Sequence, residues 1–317
     1  MKAALVSQAG ATPVYGDFPE PTPRADQFVI EVSAAALSPL TRGRAAGNHY
    51  SAERIYPQAV GVDGVGTLSG QRVYFVMPEP PQGSMAERVA IVPERCVMLP
   101  EGLDDVKAAA IANPGMSSWA ALRHRAKLTA GETVLVNGAT GSAGRLAVQI
   151  ARHLGAKKVI ATGRNPAALQ DLARLGADVT ISLAQEPQAF EAACKEQFTA
   201  GVDVVLDYLW GASAETLLVT AAKTAKDGVP LRYVEIGAAS GADIKLPGAV
   251  LRASAISLMG SGIGSVSMAH LLRSIEELFH AAQGSGFEVQ TRAVPLSQVE
   301  HAWEAKESNE RTVFTLR

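Results

Sequence analysis

Apolar positions recur along the middle of this chain with two alternating periods. Short apolar runs such as 133–136 are followed by stretches in which apolar residues recur at helical spacing, as in 146–154. Apolar runs of this length are typical of buried parallel strands, and regular alternation of strand and helix predicts right-handed crossovers. The pattern between about residues 130 and 260 therefore predicts an α/β segment with a doubly wound parallel sheet.

The first 112 residues have a different pattern. Alternating apolar and polar residues at 27–35, and short runs at Gln71–Val76 and 86–92, predict half-buried strands separated by turn signals. Frequent glycines at 61–67 predict a bulged or closely packed strand. Together these strands predict a small barrel-like sheet.

Helical spacing returns after this β-rich part. Two helices are predicted at 104–112 and 117–126, joined through Asn113-Pro114-Gly115. At the other end of the chain, helices are predicted at 269–282 and 296–308, and strands at 287–292 and 312–316.

Composition and charge narrow the class of protein. The 317 residues exceed the usual size of one core, so two domains are expected. The formal net charge is −2, with no basic stripe, which indicates no nucleic-acid partner. No apolar segment is long enough for a bilayer and no signal peptide is recognised, so a cytoplasmic protein with no membrane partner is expected. Cys96 and Cys194 are far apart and are expected to be buried thiols.

A glycine turn at 137–144 connects a predicted buried strand with a predicted helix. Backbone N–H groups and the helix dipole make such a turn an anion site. Ala139 holds the first glycine position of the dinucleotide fingerprint; Gly141 permits close approach to a pyrophosphate, and Gly144 permits close helix packing. The alternative is a strand–helix turn without a ligand. The candidate cofactor residues here are Gly138, Thr140, Gly141, Ser142, Ala143 and Gly144.

The residues that follow the second strand of the predicted parallel sheet, at 158–161, distinguish between the two nicotinamide dinucleotides. A carboxylate near this point would bind the ribose 2′-hydroxyl of NADH, whereas the sequence 161–165 has Arg164 and no carboxylate. A guanidinium binds a 2′-phosphate well, so the sequence predicts NADPH. The alternative is a solvated arginine at a strand end.

Several motifs follow one another in a specific order and spacing. They are Gly61-Val62-Asp63-Gly64-Val65-Gly66, Arg72-Val73-Tyr74, Gly83-Ser84-Met85-Ala86-Glu87, Leu99-Pro100-Glu101-Gly102, Gly138-Ala139-Thr140-Gly141-Ser142-Ala143-Gly144, Asp203-Val204-Val205-Leu206-Asp207 and Ile236-Gly237-Ala238-Ala239-Ser240-Gly241. In this combination the chain resembles the zinc-less branch of the medium-chain dehydrogenase/reductase superfamily, the quinone oxidoreductase-like proteins.

The resemblance implies a division of the chain into two domains. A mainly β, GroES-like, partly open barrel domain for catalysis would comprise 1–113 and 262–317, and a Rossmann domain for the dinucleotide would comprise 114–261. It also implies a homodimer formed through the last strand of the cofactor sheet, Ala255–Gly260. Further cofactor contacts are implied at Ser38, Asn113, Ser117, Gly237, Ala238 and Ala239, although Ser117 is equally well interpreted as a helix cap.

Departures from zinc-containing relatives indicate a reaction without metal. Those relatives carry a catalytic Cys and a Gly-His-Glu, where this sequence has Ser38 and Gly61-Val62-Asp63. A quinone or enone accepts hydride without a metal because the charge delocalises onto oxygen, so the site needs only a hydrogen-bond donor to that oxygen. Tyr50 and His49 are the candidates, and the alternative is that they pack a surface loop.

The sequence thus predicts an NADPH-dependent, zinc-independent reductase of quinones or α,β-unsaturated carbonyls, acting on a small molecule. Two alternatives stay open: a metal-dependent NADP alcohol dehydrogenase or ketone reductase, and a non-catalytic NADPH-binding redox sensor. Trp210 and Trp303 are expected to be packing residues rather than walls of a substrate site.

Overall fold

The computed structural model describes residues 1–305 and 310–316, with the side chain of Ser285 left out of the description. The chain divides into two compact units: Met1–Asn113 with Leu271–Arg317, and Pro114–His270. The expected α/β class, with one parallel sheet and a separate mainly antiparallel sheet, is confirmed. The sequence-based boundary at 261 lies nine residues before the division at His270, and the roles of the two domains stay predictions.

The unit Pro114–His270 contains a six-stranded sheet in which every neighbouring pair is parallel. Its strands are β9 (Thr133–Asn137), β10 (Lys158–Gly163), β11 (Val179–Ser182), β12 (Val204–Asp207), β13 (Pro230–Glu235) and β14 (Ala255–Gly260). Their order is β11-β10-β9-β12-β13-β14, so the strand order reverses between β9 and β12. Ligands of open α/β sheets bind outside the carboxyl ends of the strands at such a reversal.

Helices α3 (Ser142–His153), α4 (Pro166–Arg174), α5 (Pro187–Ala200), α6 (Gly211–Thr224) and α7 (Gly248–Arg252) connect these strands. The strands are rich in Val, Ile and Leu because apolar side chains cover both faces. On one face, Leu135, Val205 and Tyr233 pack with Phe190 and Leu217 from the helices.

The other unit contains two sheets. Its strands and short α-helices in chain order are β1 (Lys2–Val6), β2 (Val14–Asp17), β3 (Phe28–Ala36), α1 (Pro39–Ala45), β4 (Gln58–Ala59), β5 (Asp63–Leu68), β6 (Gln71–Val76), β7 (Arg88–Ile91), β8 (Cys96–Met98), β15 (Thr291–Pro295), α9 (Val299–Glu304) and β16 (Arg311–Thr315). Three strands form the order β2-β1-β4, and seven form β15-β16-β3-β5-β6-β8 with β7 paired to β3. The expected close packing at 61–67 is present, because a Cβ on Gly66 would lie 2.3 Å from the Glu31 carbonyl oxygen.

The helix break that the sequence predicts at Pro114 is wrong. Instead of two helices broken at Pro114, the chain forms one helix, α2 (Asp105–Ala120), which continues as a π-helical turn through Ala121–Arg125. Residues 108–112, four alanines and one isoleucine, are fully buried. The free energy gained by packing them outweighs the cost of the one backbone hydrogen bond that Pro114 cannot donate. Helix α8 (Met268–Ser285) agrees with the pattern, whereas the strand predicted at 287–292 begins only at Thr291.

The predicted final helix at 296–308 is shorter than expected. A 3₁₀ turn, Leu296–Gln298, precedes α9, and 306–309 lie outside the described residues.

Candidate dinucleotide and acceptor site

The glycine turn between β9 and α3 is tightly packed. Gly138 has a φ of +87°, and a Cβ at this position would lie 2.7 Å from the Leu209 side chain. A Cβ on Gly144 would lie 2.4 Å from the Gly138 carbonyl oxygen, so only glycine lets the first turn of α3 pack this closely on the strand end. Gly141, in contrast, has open space around it and precedes α3 without a side-chain cap. The backbone N–H groups that open α3 therefore have no capping side chain.

A buried polar network fixes this turn at the ends of three strands. The Asn137 side chain donates to Asp207 Oδ1 at 2.8 Å and to Ser213 Oγ at 2.9 Å, and its oxygen accepts from Thr162 Oγ1 at 2.7 Å. Thr162 Oγ1 in turn accepts from the Gly138 N–H at 3.1 Å. Because each member is hydrogen-bonded, the network makes the turn rigid at the carboxyl edge of β9, β10 and β12.

Asp207 also shapes the loop that follows β12. Its Oδ1 accepts from the N–H groups of Leu209 and Trp210, at 2.9 and 3.1 Å, and its Oδ2 accepts from the Tyr233 hydroxyl at 2.6 Å. Sequence reasoning missed Asn137 and Asp207 as site-forming residues. The available signal was a polar side chain at the last position of each of two apolar strands.

Arg164 lies next to the glycine turn. It directly follows Gly163, where a Cβ would lie 2.3 Å from the Thr140 methyl group, so the end of β10 and the turn are in close contact. The Arg164 side chain is exposed, and within the described ranges it forms no salt bridge. Its neighbour Asn165 caps α4 by accepting from the Ala168 N–H at 3.1 Å. The structure thus brings together Arg164 and the residues of the predicted anion site.

The loop after β13 offers fewer backbone groups than the sequence suggested. The Gly237 N–H donates to the Asp207 carbonyl at 3.2 Å, and the Ala239 N–H donates to the Tyr208 carbonyl at 3.3 Å. Among the described residues, the exposed Ala238 N–H has no acceptor. Of the three residues predicted here to contact the cofactor, Ala238 is the one whose N–H is available to a ligand.

Asn113, which the sequence placed in a connecting segment, lies together with Ser117 inside the continuous helix α2. Ser117 Oγ donates to the Pro114 carbonyl at 2.8 Å, within the same helix. The hydroxyls of Ser117 and Ser118 lie near the Tyr208 phenol; burial raises the pKa of Tyr208 to about 12, and the two serine hydroxyls oppose that rise. Ser117 is therefore a neighbour of the loop after β12, and its role towards a cofactor stays a prediction.

Ser38 is a helix cap. It is buried, its Oγ accepts from the Thr41 N–H at 3.0 Å, and the two hydroxyls lie 2.9 Å apart. These bonds explain why a serine precedes Pro39 at the start of α1. A contact between Ser38 and the cofactor stays a prediction.

His49 is held by its neighbours in one tautomer. Its Nδ1 accepts from the Ser51 N–H at 3.1 Å and lies 2.8 Å from Ser51 Oγ. Because a backbone N–H can only donate, Nδ1 carries no proton and the neutral ring carries it on Nε2. Arg44 Nη1 donates to Ser51 Oγ at 2.9 Å, and burial, together with the Arg44 charge, lowers the pKa of His49 from its usual value.

Tyr50 packs beside His49, with ring centroids 4.2 Å apart, and is 73% exposed. The structure therefore brings both acceptor-side candidates together on one loop. The sequence named His49 and Tyr50 but missed Ser51 and Arg44, which fix the orientation and charge of His49. The only sequence signal for this arrangement was a serine two positions after the histidine.

The region compared with the zinc ligands of relatives contains a buried carboxyl group. Asp63 Oδ2 accepts from the Tyr74 hydroxyl at 2.8 Å, and burial raises the pKa of Asp63 to about 6 against the opposing charge of Arg311. Within 1–305 and 310–316, no cluster of His, Cys, Asp or Glu side chains is arranged to hold a metal ion. The absence of a catalytic zinc stays a prediction.

Comparison with known proteins identifies the family. Residues 143–278 match the family model described as zinc-binding dehydrogenase. A probable NADPH-dependent quinone reductase, tdiC of Emericella nidulans, is 30% identical over 352 residues, covering 97% of this chain and 98% of that protein. The chain belongs to the quinone oxidoreductase-like medium-chain dehydrogenases/reductases.

Other members of this family agree in fold and sequence. The quinone oxidoreductase of Thermus thermophilus, whose structures include a complex with NADPH, superposes with a TM-score of 0.83 over all of both chains at 27% identity. An NADPH-dependent alkenal/one oxidoreductase of Arabidopsis thaliana is 30% identical over 213 residues, covering 59% of this chain and 53% of that protein. The resemblance stated from the motifs is confirmed. The family-model match does not include Ser38 or 61–63, so it does not test the zinc prediction.

No helix within the described residues combines the length and the apolar character that a membrane span needs.

Proposed function

We propose that this chain is an NADPH-dependent reductase that transfers hydride to a quinone or an α,β-unsaturated carbonyl without zinc. The observation that carries the proposal is the contact between the uncapped glycine turn and the strand end that bears Arg164. That arrangement fits a dinucleotide with a 2′-phosphate. The end-to-end similarity to the Emericella nidulans quinone reductase, and the partial similarity to the alkenal/one oxidoreductase, support the acceptor class.

On the cofactor side, each group of the chain has a distinct task. The N–H groups opening α3, at Ser142, Ala143 and Gly144, bind the pyrophosphate, and the Arg164 guanidinium binds the 2′-phosphate. The Ala238 N–H, which no described carbonyl accepts, is suited to hold the nicotinamide carboxamide oxygen. When bound, NADPH supplies the hydride.

On the acceptor side, His49 stabilises the charge that develops on oxygen. Its Nε2–H donates a hydrogen bond to the acceptor oxygen, and Ser51 keeps the ring in that tautomer. The lowered pKa of His49 keeps the ring neutral near pH 7, so its Nε2–H donates a hydrogen bond and stays on the ring, and the reduced acceptor takes its proton from solvent. Tyr50, whose ring packs beside it at a tilt, is the second donor candidate.

We also propose that the protein is independent of zinc, forms a homodimer and is cytoplasmic. Zinc independence is supported by Ser38 and Val62 at the places compared with metal ligands. A homodimer through β14 is supported by its position at the edge of the sheet, where Leu258 is 37% exposed. A cytoplasmic location follows from the sequence expectations alone.

Steady-state turnover of the chelator-treated protein tests the proposal. We expect oxidation of NADPH, and much slower oxidation of NADH, with a small quinone or a small enone as acceptor. Turnover that requires added zinc would favour the metal-dependent dehydrogenase. Saturable NADPH binding without consumption by any acceptor would favour the redox sensor and refute the reductase.

A further inference from the structure

A small cavity lies beside α1, within the unit that contains the mainly antiparallel sheet. Its volume is about 420 Å³ including the open mouth, and its lining includes Arg44, Glu53, Gln58, Val62 and Met77. Only about 30 Å³ of this space is open to the centres of water-sized groups, which is room for about two water molecules. The cavity can therefore hold a group of the size of a carboxylate but not a ring.

Gln58 contributes an unpaired amide to the wall of this cavity. The residue is only 8% exposed, and its side chain forms no hydrogen bond with the residues that the structure describes. An amide has two N–H donors, and leaving buried donors unpaired costs free energy. The Gln58 side chain is therefore available to pair with an oxygen atom of a ligand in the cavity.

Arg44 contributes a positive charge that has no ion-pair partner among the described residues. Its Nη1 donates to Ser51 Oγ at 2.9 Å and to the Ser51 carbonyl, whereas Nη2 and Nε have no acceptor within the described ranges. The side chain is half-buried, and burial lowers the pKa of the guanidinium against the opposing charge of Glu53. A guanidinium stays charged in proteins, so an anion beside Arg44 would offset the cost of its burial.

Glu53 lines the same cavity, but it is exposed and lies beyond ion-pair distance of Arg44. Water screens an exposed charge more strongly than a half-buried one, so the charge of Arg44 dominates inside the cavity. The opposite wall is fixed at Met77, whose φ of 52° places it in the left-handed region. The Met77 N–H donates to the Val62 carbonyl at 2.6 Å, and the Met77 carbonyl accepts from Arg95. Backbone strain of this kind persists only where the surrounding structure enforces it.

Ser51 connects this cavity with the candidate hydrogen-bond donor His49. Ser51 Oγ lies 2.9 Å from Arg44 Nη1 and 2.8 Å from His49 Nδ1. The guanidinium and the imidazole thus contact the same hydroxyl group. A short molecule can therefore place a carboxylate at Arg44 and a carbonyl oxygen at His49.

We propose that this cavity binds a carboxylate of the acceptor, and that Arg44 and Gln58 are the residues that determine this specificity. Arg44 pairs with the carboxylate, and the Gln58 amide donates a hydrogen bond to it. The inference rests on the proposed reductase function and names the acceptor class within it: short α,β-unsaturated carbonyl compounds that carry a carboxylate.

The ratio of kcat/KM for 4-oxopent-2-enoate to that for its methyl ester tests the inference. Both acceptors have the same enone, so an effect of Arg44 on His49 or on the fold cancels in the ratio. We expect Arg44→Met to lower the ratio about tenfold or more, and Gln58→Met to lower it about threefold, because each variant loses a hydrogen bond to a charged group. Glu53→Gln removes a like charge and should raise the ratio about twofold.

Arg42→Met is the matched control, since it removes the same charge from the same helix. The Arg42 guanidinium packs over the Trp303 ring, 5.3 Å from its centroid, so the ratio should stay at the wild-type value. An unchanged ratio in both Arg44→Met and Gln58→Met, or an equal fall in Arg42→Met and Arg44→Met, would overturn the inference.

A binding experiment separates this inference from the proposed function. If the wild type reduces neither acceptor, the reductase proposal fails, and calorimetric titration of the NADPH-loaded protein with 4-oxopentanoate then decides the inference. Saturable binding that is lost in Arg44→Met and weakened in Gln58→Met supports the carboxylate site. Absence of binding in the wild type, or equal binding in the wild type and Arg44→Met, refutes it.

Discussion

Replacing Arg164 with alanine removes the one group assigned to the 2′-phosphate. The guanidinium is exposed and has no salt bridge to break within the described chain, so the loss falls on the ligand and not on the fold. A hydrogen bond to a charged group contributes about 1.5–3 kcal/mol, and exposure to water favours the lower end. A loss of about 1.5–2 kcal/mol corresponds to a fall of about 10- to 30-fold in the preference for NADPH over NADH.

The assay compares kcat/KM for NADPH and for NADH at fixed acceptor concentration in the wild type and the variant. We expect KM for NADPH to rise while values for NADH change little. Arg174→Ala removes the same charge from the far end of α4, where Arg174 pairs with Asp171 at 3.2 Å, and serves as the control. An unchanged NADPH preference in Arg164→Ala would refute the assignment of this residue.

Three further perturbations test other parts of the structure. Gly144→Ala places a methyl group 2.4 Å from a carbonyl oxygen and should lower the free energy of unfolding, measured by heat or denaturant, by about 1–3 kcal/mol. Gly141→Ala meets nothing within 4 Å and should lower it less, and equal losses in the two variants would contradict the packing argument. Arg44→Met removes a charge that lowers the pKa of His49, so the acidic limb of the kcat/KM–pH profile should move to higher pH; an unmoved limb would exclude His49 as the titrating donor. The pKa of Asp63 is raised to about 6 in the folded state, so between about pH 4 and 6 the folded protein binds more protons than the unfolded chain, and the contribution of Asp63 to stability falls as pH rises through that window. Asp63→Asn should remove this component, on the order of 3 kcal/mol, from the pH dependence of the free energy of unfolding. The same pH dependence in the wild type and in Asp63→Asn would contradict the argument.

The sequence predicted those features that local chemistry determines. The apolar runs located the strands of the parallel sheet, and Gly138, Gly141 and Gly144 located the turn, because buried strands and close backbone contacts restrict residue type strongly. The helix break expected at Pro114 was wrong. Its local preference competes with the burial of a whole alanine-rich face, which the sequence around the proline does not reveal.

Features that depend on contacts between distant segments were not predictable. The Gly237 and Ala239 N–H groups donate to the carbonyls of Asp207 and Tyr208, at the end of β12 and directly after it, so only the fold distinguishes them from Ala238. The conformation of Trp210 likewise depends on Asp207, whose hydrogen bonds form only when the strand end and its loop are in place. A lone polar residue at a strand end does not indicate which groups will meet it.

The most direct test of the central claim follows the hydride itself. The chelator-treated protein is supplied with NADPH deuterated at the transferred position of the nicotinamide C4, together with an α,β-unsaturated carbonyl, and the reduced product is analysed by mass spectrometry and NMR. The proposed function predicts one deuterium on the β-carbon of the product, with NADPH consumed in equal amount. Consumption of NADPH without deuterium in the product would contradict direct hydride transfer to this class of acceptor.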